Sequence, residues 1–304
     1  MFPRELALEL DAAGIPRAVE LAKVPFFPQQ RYQCGSAALA TLVSFAGRSA
    51  DPAVLAEQVF VPARSGSFQL EIIAAARATS LLVYPLASSL ADILREVAQG
   101  NPVLVLQNLG LKWLPQWHYA VLVGYDLDKA VVILRSGVTL RLELPLPTFL
   151  ATWHRAGSWA IVALPPSSVP ATALPESYFQ AANALERVGD WEAARFAYDA
   201  ATLRWPNDSK AWFLAGNSAY VLGDVVGAER ALRRATELSP YVPLFWNNLA
   251  YAVEARGCGR LASVAAACAL RLAPEVAAIQ DTHHKLRFLT STDDARCVDL
   301  ACPR

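Results

Sequence analysis

Two spacings of apolar residues follow one another along the first half of the chain. Stretches in which apolar residues recur every three or four positions predict helices, at residues 34–47, 52–59, 70–78, 90–99 and 146–154. Short runs rich in Val, Leu and Ile predict strands, at residues 24–27, 81–86, 102–107, 118–125, 130–135, 139–144 and 159–164. Helices that precede an antiparallel meander predict an α+β domain, which we place at residues 1–166.

A 34-residue period appears in the second half, after a Pro/Ser-rich segment. The columns in register are Tyr178, Trp212 and Trp246; Gly189, Gly223 and Gly257; Ala194, Ala228 and Ala262; Ala201, Ala235 and Ala269; and Pro206, Pro240 and Pro274. Five columns that repeat three times are typical of tetratricopeptide repeats, each made of two antiparallel helices. We therefore predict a linker at 167–175 and an all-α solenoid at 176–304, with three repeats, a capping helix at 276–288 and a tail.

Composition narrows the classes of protein that fit. The chain has 304 residues, with 27 Lys and Arg against 27 Asp and Glu, so no excess of positive charge favours nucleic acid. No uninterrupted apolar run is long enough to form a transmembrane segment. The first 18 residues carry early acidic residues and no apolar core, so we do not expect a signal peptide there. The protein is then cytoplasmic, or it begins after a removed leader.

Cys34 lies where a polar loop gives way to a helix of small and apolar residues. The free amide groups at a helix N-terminus stabilise a thiolate, which is the form that attacks a carbonyl carbon. Gly35 would let the backbone approach a substrate closely. The alternative is that Cys34 is a small buried apolar residue, which is the commoner role of an isolated cysteine.

His118 is a candidate general base for such a nucleophile. It begins a strand whose following residues are apolar, so we expect it at the mouth of the sheet. A cysteine nucleophile needs a base, usually a histidine that is distant in sequence and close in space. We expect the other histidine of this domain, His154, to be structural.

A resemblance to a known family rests on motifs in order along the first domain. They are PFFPQ at 25–29, QCG at 33–35, AAL at 37–39 and HYAVLVGYD at 118–126. This resembles the papain-like cysteine peptidases that process bacteriocins in bacteria and cleave after a double glycine. The resemblance implies a papain-like fold, Cys34 as nucleophile and His118 as general base. It also implies an upstream glutamine that forms the oxyanion hole with the backbone N–H of Cys34.

Three departures from the family pattern limit what carries over. The family's glutamine lies six residues before the cysteine, where this chain has Pro28, so Gln29 or Gln30 must serve and we prefer Gln29. The family's Asp-Pro after the histidine strand is absent, and Ser136 or a backbone carbonyl would orient His118, unless the site is a Cys-His dyad. The sequence after the first domain does not resemble an ATP-binding transporter domain, so the resemblance does not imply processing coupled to export within the same chain.

The loop before His118 contains Trp113 and Trp117 among leucines, which is more apolar than a surface turn requires. It forms either an apolar wall of a substrate cleft or a loop folded onto its own domain. We expect no metal or other cofactor: the CVDLAC stretch has no second cysteine pair with metal-site spacing, and adjacent His283 and His284 point about 100° apart on a helix.

Four further cysteines lie near the C-terminus. Ten helical residues separate Cys258 from Cys268, a rise of about 15 Å, so these two cannot bridge to each other. We expect Cys297 or Cys302 in the tail to bond to one of them, in one or two bridges. Such bridges would favour an exported, periplasmic protein.

These features support three hypotheses of function. The first is a cysteine peptidase that cleaves a peptide or protein substrate and binds a protein partner through its repeats. The second is a catalytically weak or inactive relative that binds peptides or partner proteins as an adaptor. The third is acyl transfer to an amine at the same site. The repeats could instead act as a rigid spacer or a dimer surface.

Overall fold

The computed structural model describes residues 14–29, 33–61, 66–289 and 297–303, and the chain divides into two compact units, Met1–Ala181 and Ala182–Arg304. The predicted linker at 167–175 lies inside the first unit. The compact units therefore do not coincide with the predicted domain boundary at residue 166.

The first unit contains an antiparallel sheet. Its strands are β1 Ala18–Glu20, β2 Leu82–Pro85, β3 Val103–Asn108, β4 Trp117–Asp126, β5 Val131–Ser136, β6 Thr139–Pro145 and β7 Ala160–Leu164. The strand order is β2-β7-β3-β4-β5-β6, with β1 paired to β4, and every pairing is antiparallel. The predicted meander from β3 to β6 is confirmed, and β7 enters between β2 and β3.

Five helices of this unit follow the predicted order. They are α1 Cys34–Phe45, α2 Pro52–Val59, α3 Gln69–Ala78, α4 Leu90–Ala98 and α5 Leu146–Arg155. The Asp51 side chain accepts from the Ala53 amide and the Ser89 hydroxyl accepts from the Asp92 amide, so both supply the N-cap that an unpaired first turn requires. One face of α1 packs on the sheet in the main apolar core, with Leu39, Leu42 and Val43 buried.

The predicted strand at 24–27 is wrong. No strand forms there, and the short strand of this region is β1. The reason lies in Arg135, whose guanidinium takes the carbonyl of Val24 that a ladder would use. Pro25 also lacks the amide hydrogen that strand pairing needs.

The Pro/Ser-rich segment at 165–174 is held on the first unit by a buried carboxylate. Glu96, on α4, has no exposed surface and accepts from the Ala171 amide, the Thr172 amide and the Thr172 hydroxyl. Asn101 donates a further hydrogen bond at 2.7 Å. A buried carboxylate is stable when its oxygens are saturated in this way, so Glu96 fixes a segment that the composition predicted to be a linker.

The second unit is a run of antiparallel helices. They are α6 Pro175–Arg187, which begins in the first unit, α7 Trp191–Arg204, α8 Ser209–Val221, α9 Val225–Leu238, α10 Pro243–Ala255, α11 Gly259–Leu272 and α12 Ala277–Leu286. The glycines of the turns at 189, 223 and 257 have φ between +80° and +84°, a region that other residues rarely adopt. The predicted helix pairs and the all-α repeat region are confirmed.

The third repeat turn differs from the other two. Asp190 and Asp224 cap α7 and α9 through their side chains, whereas Cys258 occupies the same position before α11 without capping it. Cys258 is instead bonded to Cys297, and Cys268 to Cys302, with Cα atoms 5.7 Å apart in each bridge. The prediction of one or two bridges that anchor the tail is confirmed, and both form.

The described residues contain no helix whose length and apolar character would let it cross a membrane. Within the same residues no three His, Cys, Asp or Glu side chains come together as metal ligands would.

Candidate active site

Cys34 is the first residue of α1, as predicted, and its thiol is free and partly buried. The preceding residue, Gln33, supplies no side-chain acceptor to the first turn of the helix. The first amide groups of an α-helix have no partner within the helix, and the helix dipole adds positive potential at this end. Negative charge that develops on an oxygen beside these amide groups is therefore stabilised.

The reason for glycine at position 35 is packing against another part of the first unit. A Cβ built on Gly35 would lie 2.6 Å from Ser67 Oγ and 3.2 Å from Ile72 Cδ1. Gly35 thus lets the N-terminus of α1 approach the segment that leads into α3. Its predicted contact with substrate stays a prediction.

His118 is the second residue of β4, at the predicted end of the strand. Its Nε2 lies 2.8 Å from Ser136 Oγ, at the end of the neighbouring strand β5. Burial lowers the pKa of His118 below its ordinary value of 6.5, which favours the neutral imidazole near neutral pH. Ser136 thus lies within hydrogen-bonding distance of His118, and its orienting role stays a prediction.

Cys34 and His118 form no hydrogen bond with each other in the described part of the chain. Tyr119, the residue after His118, is buried in the apolar core that Cys34 also packs against. The Tyr119 hydroxyl donates to the Ser67 carbonyl at 3.2 Å. Burial raises the pKa of Tyr119, and the nearby Cys34 and Glu71 raise it further.

Gln29 makes two hydrogen bonds that fix it beside this strand end. Its backbone amide donates to the Gly137 carbonyl at 2.9 Å, and its Nε2 donates to the Tyr119 carbonyl at 3.4 Å. Gln29 therefore joins the turn that follows Ser136 to the residue that follows His118. The alternative, Gln30, lies outside the described residues.

Arg135 is a buried cation behind the site that sequence reasoning missed. Its guanidinium donates to the carbonyls of Val24, Leu140 and Ala22 at 3.3, 2.8 and 3.4 Å. Burial lowers the pKa of Arg135. Three carbonyls from two separate segments thus converge on one side chain, which positions the segment leading to Gln29. The available signal was an arginine at the end of a run of Val, Ile and Leu in a buried strand.

The loop between β3 and β4 is a hairpin extension with exposed apolar side chains. Its large exposed residues are Leu109, Leu111, Trp113, Leu114 and Trp117, and Trp113 is 78% exposed. The Asn108 side chain accepts from the amides of Gly110 and Gln116, while Leu111 and Leu114 exchange backbone hydrogen bonds. These side chains are therefore not folded into the core. The interpretation of a loop folded onto its own domain does not hold for them.

His154 lies on the exposed face of α5, and its Nδ1 is 2.8 Å from the Ser158 hydroxyl. The Asp126 carboxylate closes the β4–β5 turn by accepting from the amides of Asp128 and Lys129. Both residues therefore have structural partners near the ends of the sheet.

Comparison with known families follows the division into two parts. Residues 21–161 match the family described as Peptidase_C39 like family, and residues 179–243 match the tetratricopeptide repeat family. The predicted resemblance and the predicted fold class, an α+β peptidase-like part followed by an all-α repeat part, are confirmed. No curated protein sequence matches the chain significantly.

Solved structures show distant similarity. A protein described as a C39-like peptidase from Bacillus anthracis is 21% identical, with a TM-score of 0.44 over 48% of this chain and 97% of its own. A double glycine motif protease in complex with its leader peptide is 19% identical, with a TM-score of 0.35 over 47% and 91%. The O-GlcNAc transferase of Thermobaculum terrenum is 24% identical, with a TM-score of 0.36 over 41% and 25%.

Proposed function

We propose that this protein is a cysteine peptidase, with Cys34 as nucleophile and His118 as general base. The observation that supports this most directly is the position of a free thiol at an uncapped helix N-terminus, in a part of the chain that matches a peptidase family. The proposed substrate is a peptide or protein, and no cofactor enters the reaction.

The Ser136 hydroxyl is compatible with the tautomer that this role requires, because a hydroxyl can accept a hydrogen bond as well as donate one. If His118 carries its proton on Nε2, that N–H donates to Ser136 Oγ across 2.8 Å, and Nδ1 keeps its lone pair for the thiol. Burial lowers the pKa of His118, which keeps the imidazole in the neutral form that can accept a proton. Ser136 is therefore a positioning residue in the proposed mechanism.

In the first half-reaction, Nδ1 of His118 removes the thiol proton and the Cys34 sulfur bonds to the carbonyl carbon of the scissile peptide. The carbonyl π electrons move to the oxygen, giving a tetrahedral oxyanion. When it collapses, the C–N bond breaks and His118 returns the proton to the departing amine. Water then hydrolyses the thioester by the same steps and releases the carboxylic acid.

The oxyanion would be held by the Cys34 amide and the side chain of Gln29. Nε2 of Gln29 carries two hydrogens and uses one for the Tyr119 carbonyl, so the other is available to an oxyanion. Fixed donors of this kind act where negative charge develops, and each contributes about 100- to 1000-fold in rate.

Substrate binding would use the hairpin extension and the repeats. Exposed Trp113 and Trp117 give an apolar wall directly before His118, and Gly35 keeps the helix start free of a side chain. The tetratricopeptide repeats indicate protein binding, which would bring a protein partner or substrate to the enzyme.

Thiol labelling and turnover test this proposal together. A peptide-based electrophile should label wild-type protein at Cys34 at neutral pH, and Cys34→Ala should abolish both labelling and hydrolysis. His118→Ala should abolish hydrolysis, and Gln29→Ala should reduce kcat by about 100- to 1000-fold. His154→Ala is the matched control because that ring is exposed and distant in sequence, and its activity should equal wild type.

An unreactive Cys34 would instead favour the second candidate, an adaptor that retains the fold and binds peptides without cleaving them. One observation motivates it: the side chain that contacts His118 Nε2 is a neutral hydroxyl, and a carboxylate would stabilise an imidazolium better. If labelling at Cys34 is no faster than at an exposed cysteine in an unfolded peptide, the peptidase proposal is wrong.

A further inference from the structure

The tail of this chain shows how the second helices of the repeats hold an extended segment. Arg233 of α9 donates to the Val298 carbonyl at 2.6 Å and the Asp299 carbonyl at 3.3 Å. From α11, Arg260 pairs with the Asp299 carboxylate, Cys268 bonds to Cys302, and Arg271 donates to the Pro303 carbonyl. The tail therefore lies along the groove between α9 and α11.

The same groove exists one repeat earlier, between α7 and α9. The helix residues that contact the tail are Arg233, Arg260, Cys268 and Arg271. The residues 34 positions earlier, at the equivalent places of the preceding repeat, are Asp199, Val226, Arg234 and Glu237. All four line one open groove of about 690 Å³. Val298 of the tail also lines it, so the open groove continues from the groove that the tail fills.

The two grooves differ in what covers their floor. Trp246, in the third repeat, is 3% exposed, whereas its equivalent Trp212 is only partly buried and lines the open groove. Beside it, Leu203 is 84% exposed and Val226 is also exposed. Apolar surface of this kind at a repeat interface is available to an apolar side chain of a ligand.

The charges of the open groove favour an acidic ligand. Five arginines line it, at 195, 230, 233, 234 and 256, against the three carboxylates of Asp199, Glu229 and Glu237. Glu229 is buried and pairs with Arg233 and Arg256, while Arg195 pairs with Asp199 and with Asp224. Arg230 is exposed, and Arg234 is partly exposed and pairs with Glu237 at 3.0 Å. The most exposed positive charge of the groove is therefore Arg230, on α9.

We propose that the groove between α7 and α9 binds an extended segment of a partner protein, with carboxylate side chains facing Arg230 and Arg234 and an apolar side chain on Trp212. The bound segment would lie on the face formed by the second helices, as the tail does one repeat later. This inference refines the proposed protein-binding role of the repeats and is independent of peptidase chemistry.

Fluorescence anisotropy with defined peptides tests the site. The probe is a labelled peptide, Gly-Leu-Asp-Val-Asp-Leu-Gly, added to the oxidised full chain carrying Cys34→Ser, which prevents cleavage. We expect saturable binding. Replacing both aspartates by lysine should weaken it about five- to tenfold, because the exposed ion pairs are lost and like charges face each other in their place. Replacing the leucines and valine by serine should weaken it similarly.

Protein variants locate the binding. Arg230→Glu should weaken the aspartate peptide and strengthen the lysine peptide, a reversal that misfolding cannot produce. Lys285→Glu, an exposed charge reversal on α12, is the matched control and should change neither.

Three outcomes would overturn the proposal. The first is no saturable binding, and the second is equal binding by wild type and Arg230→Glu. The third is binding seen only after the disulfides are reduced, because the peptide would then occupy the groove that the released tail leaves. Self-association that Arg230→Glu abolishes, without peptide binding, would assign the groove to a second copy and also contradict it. Cys34 labelling in parallel, on protein with the native thiol, keeps a failure here distinct from a failure of the peptidase proposal.

Discussion

The two units both hold irregular segments against a regular scaffold, but they use different chemistry. In the first unit, buried Arg135 holds the segment before Gln29 and buried Glu96 holds the segment at 165–174, each through several hydrogen bonds. In the second unit, two disulfides hold the tail. The strength of a hydrogen bond to a buried charge depends on the ionisation of that group, and the bond can change in length. A disulfide instead depends on redox conditions, and it holds the two chain segments at a fixed distance. The proposed catalytic residues lie in the first unit, where hydrogen bonds rather than disulfides hold the irregular segments.

Removing both disulfides should give the largest loss of stability among the changes considered. The bridges close loops of 39 and 34 residues, and cross-links of this length contribute about 3–4 kcal/mol each. We expect Cys258→Ser with Cys268→Ser to speed amide hydrogen exchange in α11 by several orders of magnitude. Cys34 labelling in the first unit should not change.

Hydrogen exchange read segment by segment is the suitable measurement, because one unfolding free energy is not defined for two units. Cys34→Ala is the control, since it removes a thiol that forms no bridge. Unchanged exchange in α11 after loss of both bridges would show that helix packing alone stabilises α11 and that the bridges contribute little.

Removing the Glu96 carboxylate should affect the first unit only. Glu96→Ala leaves the Ala171 and Thr172 amides without their acceptor and should destabilise the segment by about 3 kcal/mol. Glu96→Gln, which keeps the shape, should cost less. Limited proteolysis at 165–174 and hydrogen exchange at Thr172 measure the loss.

Glu57→Ala, on the exposed face of α2, is the matched control and should resemble wild type. A chain that ends at Pro166 lacks Ala171 and Thr172 and should be destabilised as Glu96→Ala is, whereas a chain that ends at Ala181 should not. Equal stability of the two truncated chains would show that the Glu96 contacts contribute little.

How far the sequence predicts this molecule depends on the range of the contacts. The repeat helices follow from a local period, and α2 agrees with its predicted bounds because Asp51 marks its start two residues before the amide that it caps. The anchoring of the tail follows from helix rise and cysteine spacing. The helix bounds are thus decided within a short stretch or a regular repeat, whereas the two bridges join residues 39 and 34 positions apart and only the Cys258–Cys268 pairing is excluded locally.

The wrong or missing parts depend on side chains that meet from distant positions. The strand predicted at 24–27 fails because Arg135, 111 residues away, takes the Val24 carbonyl. The segment at 165–174 has the composition of a linker, and nothing in α4 indicates that Glu96 binds it. For the site, the motif around Cys34 and His118 identifies candidates, but the position of Gln29 on the Gly137 carbonyl is set by a contact that no local pattern contains.

The smallest expected effect is in the pH dependence of the reaction. Because burial lowers the pKa of His118, its neutral form persists as pH falls below 6.5 and is lost only as pH falls through the lowered value. The acid limb of kcat/KM should therefore have its midpoint below pH 6.5. A pH–rate profile measures this, and His154→Asn should leave the midpoint unchanged. A midpoint above 6.5 would contradict the assignment of His118 as the base.

The two disulfides also determine how long the tail between them can be. Cys258 and Cys268 lie ten residues apart along the start of α11, about 15 Å, while Cys297 and Cys302 are five residues apart. An extended chain advances about 3.3 Å per residue, so five steps cover about 16 Å and match the distance along the helix. Deleting one residue between the tail cysteines would leave about 13 Å, so the two bridges, each 5.7 Å between Cα atoms, would have to incline away from each other to reach both helix cysteines. The length of the tail between its cysteines therefore matches the length of the helix between its own, with one tail residue for every two helical residues.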